Sequence, residues 1–217
     1  MGKNLWSIKE PTFFGIKKYS FPFRNILYET IRNTFFHVSL WFAMFALLGI
    51  SVYHSIRYLY KSDLLDDWKA YSQVRTAILF GVLGLITGSI WAKYTWGTWW
   101  TNDIKLNMAA LSMLIYFGYL IIRAGIEDPD KKARISASFN VFALVAVIPL
   151  IFVLPRLTDS LHPGNGGNPA FGSEDMDNSL RMVFYPAVIS FILLGIWLSQ
   201  LVFRSDVLSH KSESAEI

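Results

Sequence analysis

Apolar and polar residues along this chain fall into long blocks rather than short periodic elements. Five apolar stretches run over residues 35–53, 77–92, 108–122, 139–154 and 182–203. A helix that crosses a bilayer needs about 20 such residues, with a range of about 17–25. The first and last stretches meet that requirement directly. The middle three are short and carry Gly81, Gly84, Gly88, Ser112, Gly118 and Pro149. They reach bilayer thickness if the flanking Arg75, Lys93, Arg123 and Arg134 snorkel to the headgroups. Their small residues would let helices approach closely, since lipid offers no hydrophobic drive for association. The pattern predicts an all-α integral membrane protein, a bundle of five transmembrane helices over residues 34–204. Residues 1–33 read as an amino-terminal interfacial segment, because Trp6, Phe13, Phe14, Tyr19, Phe21 and Phe23 alternate with basic residues and no apolar signal core is present. Residues 205–217 read as a polar carboxy-terminal tail.

Composition agrees. Of 217 residues, 53% are hydrophobic and only 17% charged, against about 25% charged in soluble domains. That excludes a disordered chain and a nucleic-acid-binding domain, which need more charge. Cysteine is absent, so there is no disulfide framework, thiolate metal site or cysteine nucleophile.

Basic residues orient the bundle. The face holding residues 93–107 and 155–181 carries four, Lys93, Lys105, Arg156 and Arg181. The opposite face carries ten, Arg57, Lys61, Lys69, Arg75, Arg123, Lys131, Lys132, Arg134, Arg204 and Lys211. The ten-residue face is therefore expected in the cytoplasm and the other outside. Residues 1–33 add six basic residues to the outer side. That conflict would vanish if a further span preceded them.

The densest anomaly is residues 91–103, W-A-K-Y-T-W-G-T-W-W-T-N-D, read as the loop between the second and third spans. Trp91, Trp96, Trp99 and Trp100 are half of the eight tryptophans. An interfacial aromatic belt is the plain reading. Concentration in one loop, with Gly97 giving backbone room between rings, points instead to a stacking platform for a flat ligand. Asp103 closes the run as the expected N-cap of the third helix.

Face assignment also sorts the four histidines. His37 stands at the outer end of the first span and His162 in the long outer loop, 155–181. His54 follows His37 by 17 residues, about 25 Å along a helix, and so emerges on the opposite face. His210 falls in the polar tail as a solvated residue. Two imidazoles beside a tryptophan platform suit haem, whose iron accepts neutral imidazole at both axial positions. Lys105, Arg156 and Arg181 are candidates to meet its propionates. Zinc is disfavoured, with no Cys and no His-x-x-x-His pair. Asp159, Glu174, Asp175 and Asp177 match no calcium loop. Residues 164–168, G-N-G-G-N, lack the Lys-Ser/Thr of a phosphate-binding loop.

W-G-T-W-W-T-N-D at 96–103 resembles the tryptophan-rich motif of the haem exporter C family of cytochrome c maturation proteins. F-H-V-S-L-W at 36–41 and L-H-P-G-N at 161–165 resemble that family's two histidine segments. The resemblance implies a six-span fold in which one amino-terminal span is missing here. It implies haem held at the outer face of the bacterial inner membrane by His37 and His162, with Trp91, Trp96, Gly97, Trp99, Trp100 and Asp103 as platform. The haem would be b-type and transiently bound. It would pass to a periplasmic haem chaperone, with ABC-type transporter subunits as partners and no enzymatic turnover. Asn102 and Ser39 stand where the family has Trp and Pro. The alternatives are a haem-containing membrane oxidoreductase subunit and a structural transporter subunit without haem.

Overall fold

Three of the five helices start at an aspartate that caps them. The computed structural model describes residues 32–162, 176 and 178–215; the interfacial segment 1–31, the glycine-rich 164–168 and the acidic Glu174, Asp175 and Asp177 lie outside them. Helix α1 spans Asn33–Lys61, α2 Leu64–Trp96, α3 Ile104–Ala124, α4 Pro129–Phe152 and α5 Asn178–Ala215. Asp63, Asp103 and Asp128 cap α2, α3 and α4, each carboxylate accepting a backbone N–H of the first turn. Pro129 opens α4, where its missing N–H costs nothing. At the other end of α2, Gly97 takes φ +79° and donates its N–H to the Lys93 carbonyl, a left-handed cap that glycine adopts without strain. All five helices are long and apolar enough to cross a membrane. Among the described residues there is no strand. The chain is an all-α membrane protein.

The helices outrun the apolar stretches because their polar ends find partners inside the protein. Arg123, expected to snorkel, is 7% exposed and grips Asp67 with both terminal nitrogens at 2.7 and 2.5 Å. Arg75 likewise turns to Asp206 rather than to the headgroups. Both guanidinium groups also lie 4.3 Å from the Tyr71 ring centre. One residue earlier in α2, Asp66 takes His54 at 2.9 Å and Arg57 at 3.2 Å. These contacts tie α1, α2, α3 and α5 together at one end of the bundle.

Helix α2 is the hub, packing on all four others, whereas among the described helices α5 packs on α1 and α2 alone. The core runs along α1 through Leu40, Met44, Leu47 and Leu48, then into Val74 and Ala77 of α2 and Met113 of α3. A Cβ on Gly81 would overlap the Met113 sulfur, so glycine permits that approach. A polar lock crosses the same core. Asn140, fully buried, donates to the Ser51 and Ser55 hydroxyls at 2.7 and 2.9 Å, and Ser51 donates to the Ala70 carbonyl at 2.8 Å. Outward, Leu114, Ile121, Phe142 and Trp197 are all more than half exposed, a surface that lipid covers and water would not tolerate.

Two sequence expectations change. The tryptophan-rich segment is not all loop, because Trp91 and Trp96 belong to the last turns of α2 and only residues 97–103 connect the helices. The segment read as a polar tail continues α5 as helix to Ala215. His210 is there, edge-on to Trp68 with ring centres 5.0 Å apart, not merely solvated.

The two ion pairs of this end should differ in weight. Asp67→Ala leaves a buried guanidinium unpaired and should cost about 3–5 kcal/mol. Asp206→Ala breaks a pair about one-third exposed and should cost about 1 kcal/mol or less. Thermal unfolding in detergent measures both.

Candidate functional site

His37 sits in the second turn of α1, facing α2 across two glycines. Its Nδ1 lies 3.0 Å from the Gly84 carbonyl and 3.2 Å from the Thr87 hydroxyl. A carbonyl only accepts, so Nδ1 carries the proton and Nε2 keeps its lone pair. Gly88 makes the seat possible, since a Cβ there would fall 2.8 Å from His37 Cε1. Trp41, one turn on, packs over Gly84, where a Cβ would fall 3.0 Å from Trp41 Cε2, and edge-on to the His37 ring.

His162 comes from the far side of the sequence and is held by Asp103. The Asp103 carboxylate caps α3 through the Lys105 N–H at 2.9 Å. It also accepts the Leu161 N–H at 2.7 Å, the Ser160 hydroxyl at 2.8 Å and His162 Nδ1 at 3.1 Å. Burial alone would push the Asp103 carboxyl up; the bonds from Leu161 and Ser160 and the neighbouring His162 outweigh it and hold the carboxyl below its ordinary value. Burial pushes the His162 imidazole below its ordinary value, with Asp103 opposing this only in part. The ring is therefore neutral near pH 7, donates Nδ1–H to the carboxylate and leaves Nε2 unprotonated. Trp91 and Trp96 enclose it, their rings 5.6 and 4.9 Å from the His162 ring and 5.0 Å from each other.

Both histidines line one cleft of about 400 Å³, within the usual range for ligand sites. The cleft runs down α1 past Trp41 and Phe42 to Phe45 and is closed opposite by Phe152 and Pro155. His37 to Phe45 is eight residues, so the apolar part descends about 12 Å from His37. Of the expected site residues, His37, His162, Trp100 and Lys105 line the cleft. Trp91, Trp96 and Asp103 instead build the wall around His162. Trp99 is 59% exposed and lies outside it. Arg156 and Arg181 do not line it, and Lys105 is the only Lys or Arg among its described lining residues. Gly97 serves by its left-handed backbone; a Cβ there would meet nothing within 4 Å, so room between rings is not its role. His54 lies at the opposite end with Asp66.

Sequence reasoning missed the seats. Thr87, Gly84 and Gly88 orient His37, and Ser160 helps anchor the loop before His162. Asn107 accepts from Trp100 Nε1 at 3.2 Å and donates to Asn102 Oδ1 at 2.7 Å. Asn102 is thereby linked to the Trp100 indole through Asn107. Spacing offered one usable signal, the Gly84-x-x-x-Gly88 pair, which marks a close helix approach. Among the described residues no group of three or more His, Cys, Asp or Glu could hold a bare metal ion.

The seats make distinct predictions. Gly88→Ala should drive the His37 ring from the Gly84 carbonyl, and nitrogen NMR of the imidazole should show the Nδ1–H form giving way to a mixture. Gly49→Ala, with nothing within 4 Å of its Cβ, should leave that signal unchanged. Asp103→Ala should lower stability by about 1 kcal/mol through the lost cap and expose residues 157–162 to proteolysis.

Comparison with known proteins follows the same line. Residues 24–217 match the family model described as heme exporter protein C. The heme exporter protein C of Bradyrhizobium diazoefficiens is 28% identical over 195 residues, covering 87% of this chain and 71% of that protein. That of Paracoccus denitrificans is 26% identical, covering 82% and 73%. For that of Haemophilus influenzae the match is 26% over 62% of this chain and about half, 54%, of the relative. The chain belongs to the heme exporter protein C family.

Proposed function

We propose that this protein binds haem at the outer face of the bacterial inner membrane and delivers it for cytochrome c maturation. The observation that carries the reading is that His37 and His162 line one cleft while each has its Nδ1 engaged. Two neutral imidazoles with free Nε2 lone pairs are the donor set for six-coordinate haem iron. The Asp103 carboxylate behind His162 would raise that ligand's basicity, as carboxylates behind metal-bound histidines do. The apolar depth along Trp41, Phe42 and Phe45 suits a macrocycle, and Lys105 gives its propionates one cation. Neither Arg156 nor Arg181 is needed for that role.

Haem is cargo on this reading, so the protein breaks and forms no covalent bond. Trp99, exposed beside the cleft, would meet a periplasmic haem chaperone, and ABC-type transporter subunits would share the membrane complex. An electron-carrying role would want a second histidine pair at the opposite end. His54 and His210 lie there on different helices, and only His210 lines the cavity of that end.

Purified protein titrated with haem should give a low-spin, six-coordinate absorption spectrum. His37→Ala or His162→Ala should abolish it, and His54→Ala or His210→Ala should not; equal sensitivity to all four would contradict the assignment. Trp91→Ala or Trp96→Ala should weaken haem retention about five-fold, from about 1 kcal/mol per lost ring contact. Trp99→Ala should spare haem and reduce chaperone co-purification. Reporter fusions after Lys132 and within residues 164–168 should read cytoplasmic and periplasmic.

A further inference from the structure

A second cavity, about 390 Å³, opens at the other end of the bundle and has no part in the proposed haem site. It exists because of how the helices pack. Helix α5 does not pack on α3 or α4, so a cleft remains beside α2, between α5 and the α3–α4 hairpin. Its walls come from the first turns of α2 and α4, the last turn of α3 and the end of α5. Those helix ends lie where a bilayer places its headgroups.

The chemistry of the cleft is lopsided. Arg123 is matched by Asp67 and Arg75 by Asp206. Lys132 lines the cleft, is half-buried, and makes no ion pair among the described residues; the Asp128 carboxylate, one turn before it, accepts the Lys131 N–H as the cap of α4. Among the described residues Lys132 is thus the lining cation left without a carboxylate partner, in a recess edged by Tyr71, Trp68 and His210. Leu64, Leu120 and Ala124 supply an apolar wall beside it. A cation without a carboxylate partner at headgroup level, next to an apolar wall and an interfacial indole, is complementary to one phosphodiester carrying acyl chains. We propose that this cleft holds the headgroup of one anionic glycerophospholipid, with Lys132 meeting its phosphate.

The lipid has a structural consequence. It would close the gap that α5 leaves against α3 and α4, and join the charged end of the bundle across that gap. The site stands independently of haem binding at the far end.

Native mass spectrometry of the purified chain with added phosphatidylglycerol or phosphatidylcholine tests the proposal. One phosphatidylglycerol should stay bound per chain, against little phosphatidylcholine. Lys132→Ala should cut its occupancy about five-fold, the weight of one basic residue near a membrane surface. Lys211→Ala, exposed and outside the cleft, should leave it unchanged. If Lys132→Ala proves unstable, Trp68→Ala in phosphatidylglycerol nanodiscs should lose the unfolding-temperature gain over phosphatidylcholine that the wild-type chain shows. Equal retention of both lipids, or occupancy indifferent to Lys132, would overturn the proposal. So would a haem found in this cleft and lost in His210→Ala.

Discussion

One carboxylate organises the outer end of this bundle. Asp103 is 4% exposed and accepts from the α3 backbone, the Leu161 N–H, the Ser160 hydroxyl and His162. A buried charge in a low-dielectric setting is tolerable only when hydrogen-bonded, and here every bond reaches an element that must be placed. The cap fixes where α3 begins, the loop bonds fix where 160–162 lies, and the imidazole bond fixes the His162 tautomer. The Trp91 and Trp96 rings then pack against a histidine that is already oriented.

The other histidine is held by a different device. His37 relies on a backbone carbonyl and on the absence of side chains at Gly84 and Gly88, so its position is set by the distance between α1 and α2. That distance depends on packing deeper in the bundle, from Gly81 against Met44 and Met113 just below the seat to the more distant Asn140 lock between α4 and α1. A rigid hub, α2, thus carries one histidine's seat and, at its last turns, the rings around the other. A ligand bridging both would experience little rearrangement of the bundle, because both imidazoles are positioned without it.

Much of this was legible in the sequence where the physics is local. Five spans follow from apolar length, and the split of His37 from His54 follows from helical rise. The cap at Asp103 follows from its place before an apolar run. The rest depends on pairings no local pattern encodes. Asp103 meets Ser160 across 57 positions, and Arg123 meets Asp67 across 56. Hence a residue expected to snorkel is instead buried, and Asp103, grouped with the platform, supports a histidine. The end of α2 is hidden in the sequence because Trp91–Trp96 reads as interfacial, whereas Gly97 with its left-handed φ sets the stop. Of the three cations proposed for propionates, only Lys105, on the helix that Asp103 caps, was carried to the cleft.

The central claim is that His37 and His162 together ligate one haem iron. Electron paramagnetic resonance of the ferric haem complex tests it most directly, because the spectrum reports the axial ligand field itself. The account predicts a low-spin bis-imidazole signal in the wild-type chain, converted to a high-spin signal by His162→Ala and restored by added imidazole. A high-spin five-coordinate signal in the wild-type chain would contradict it.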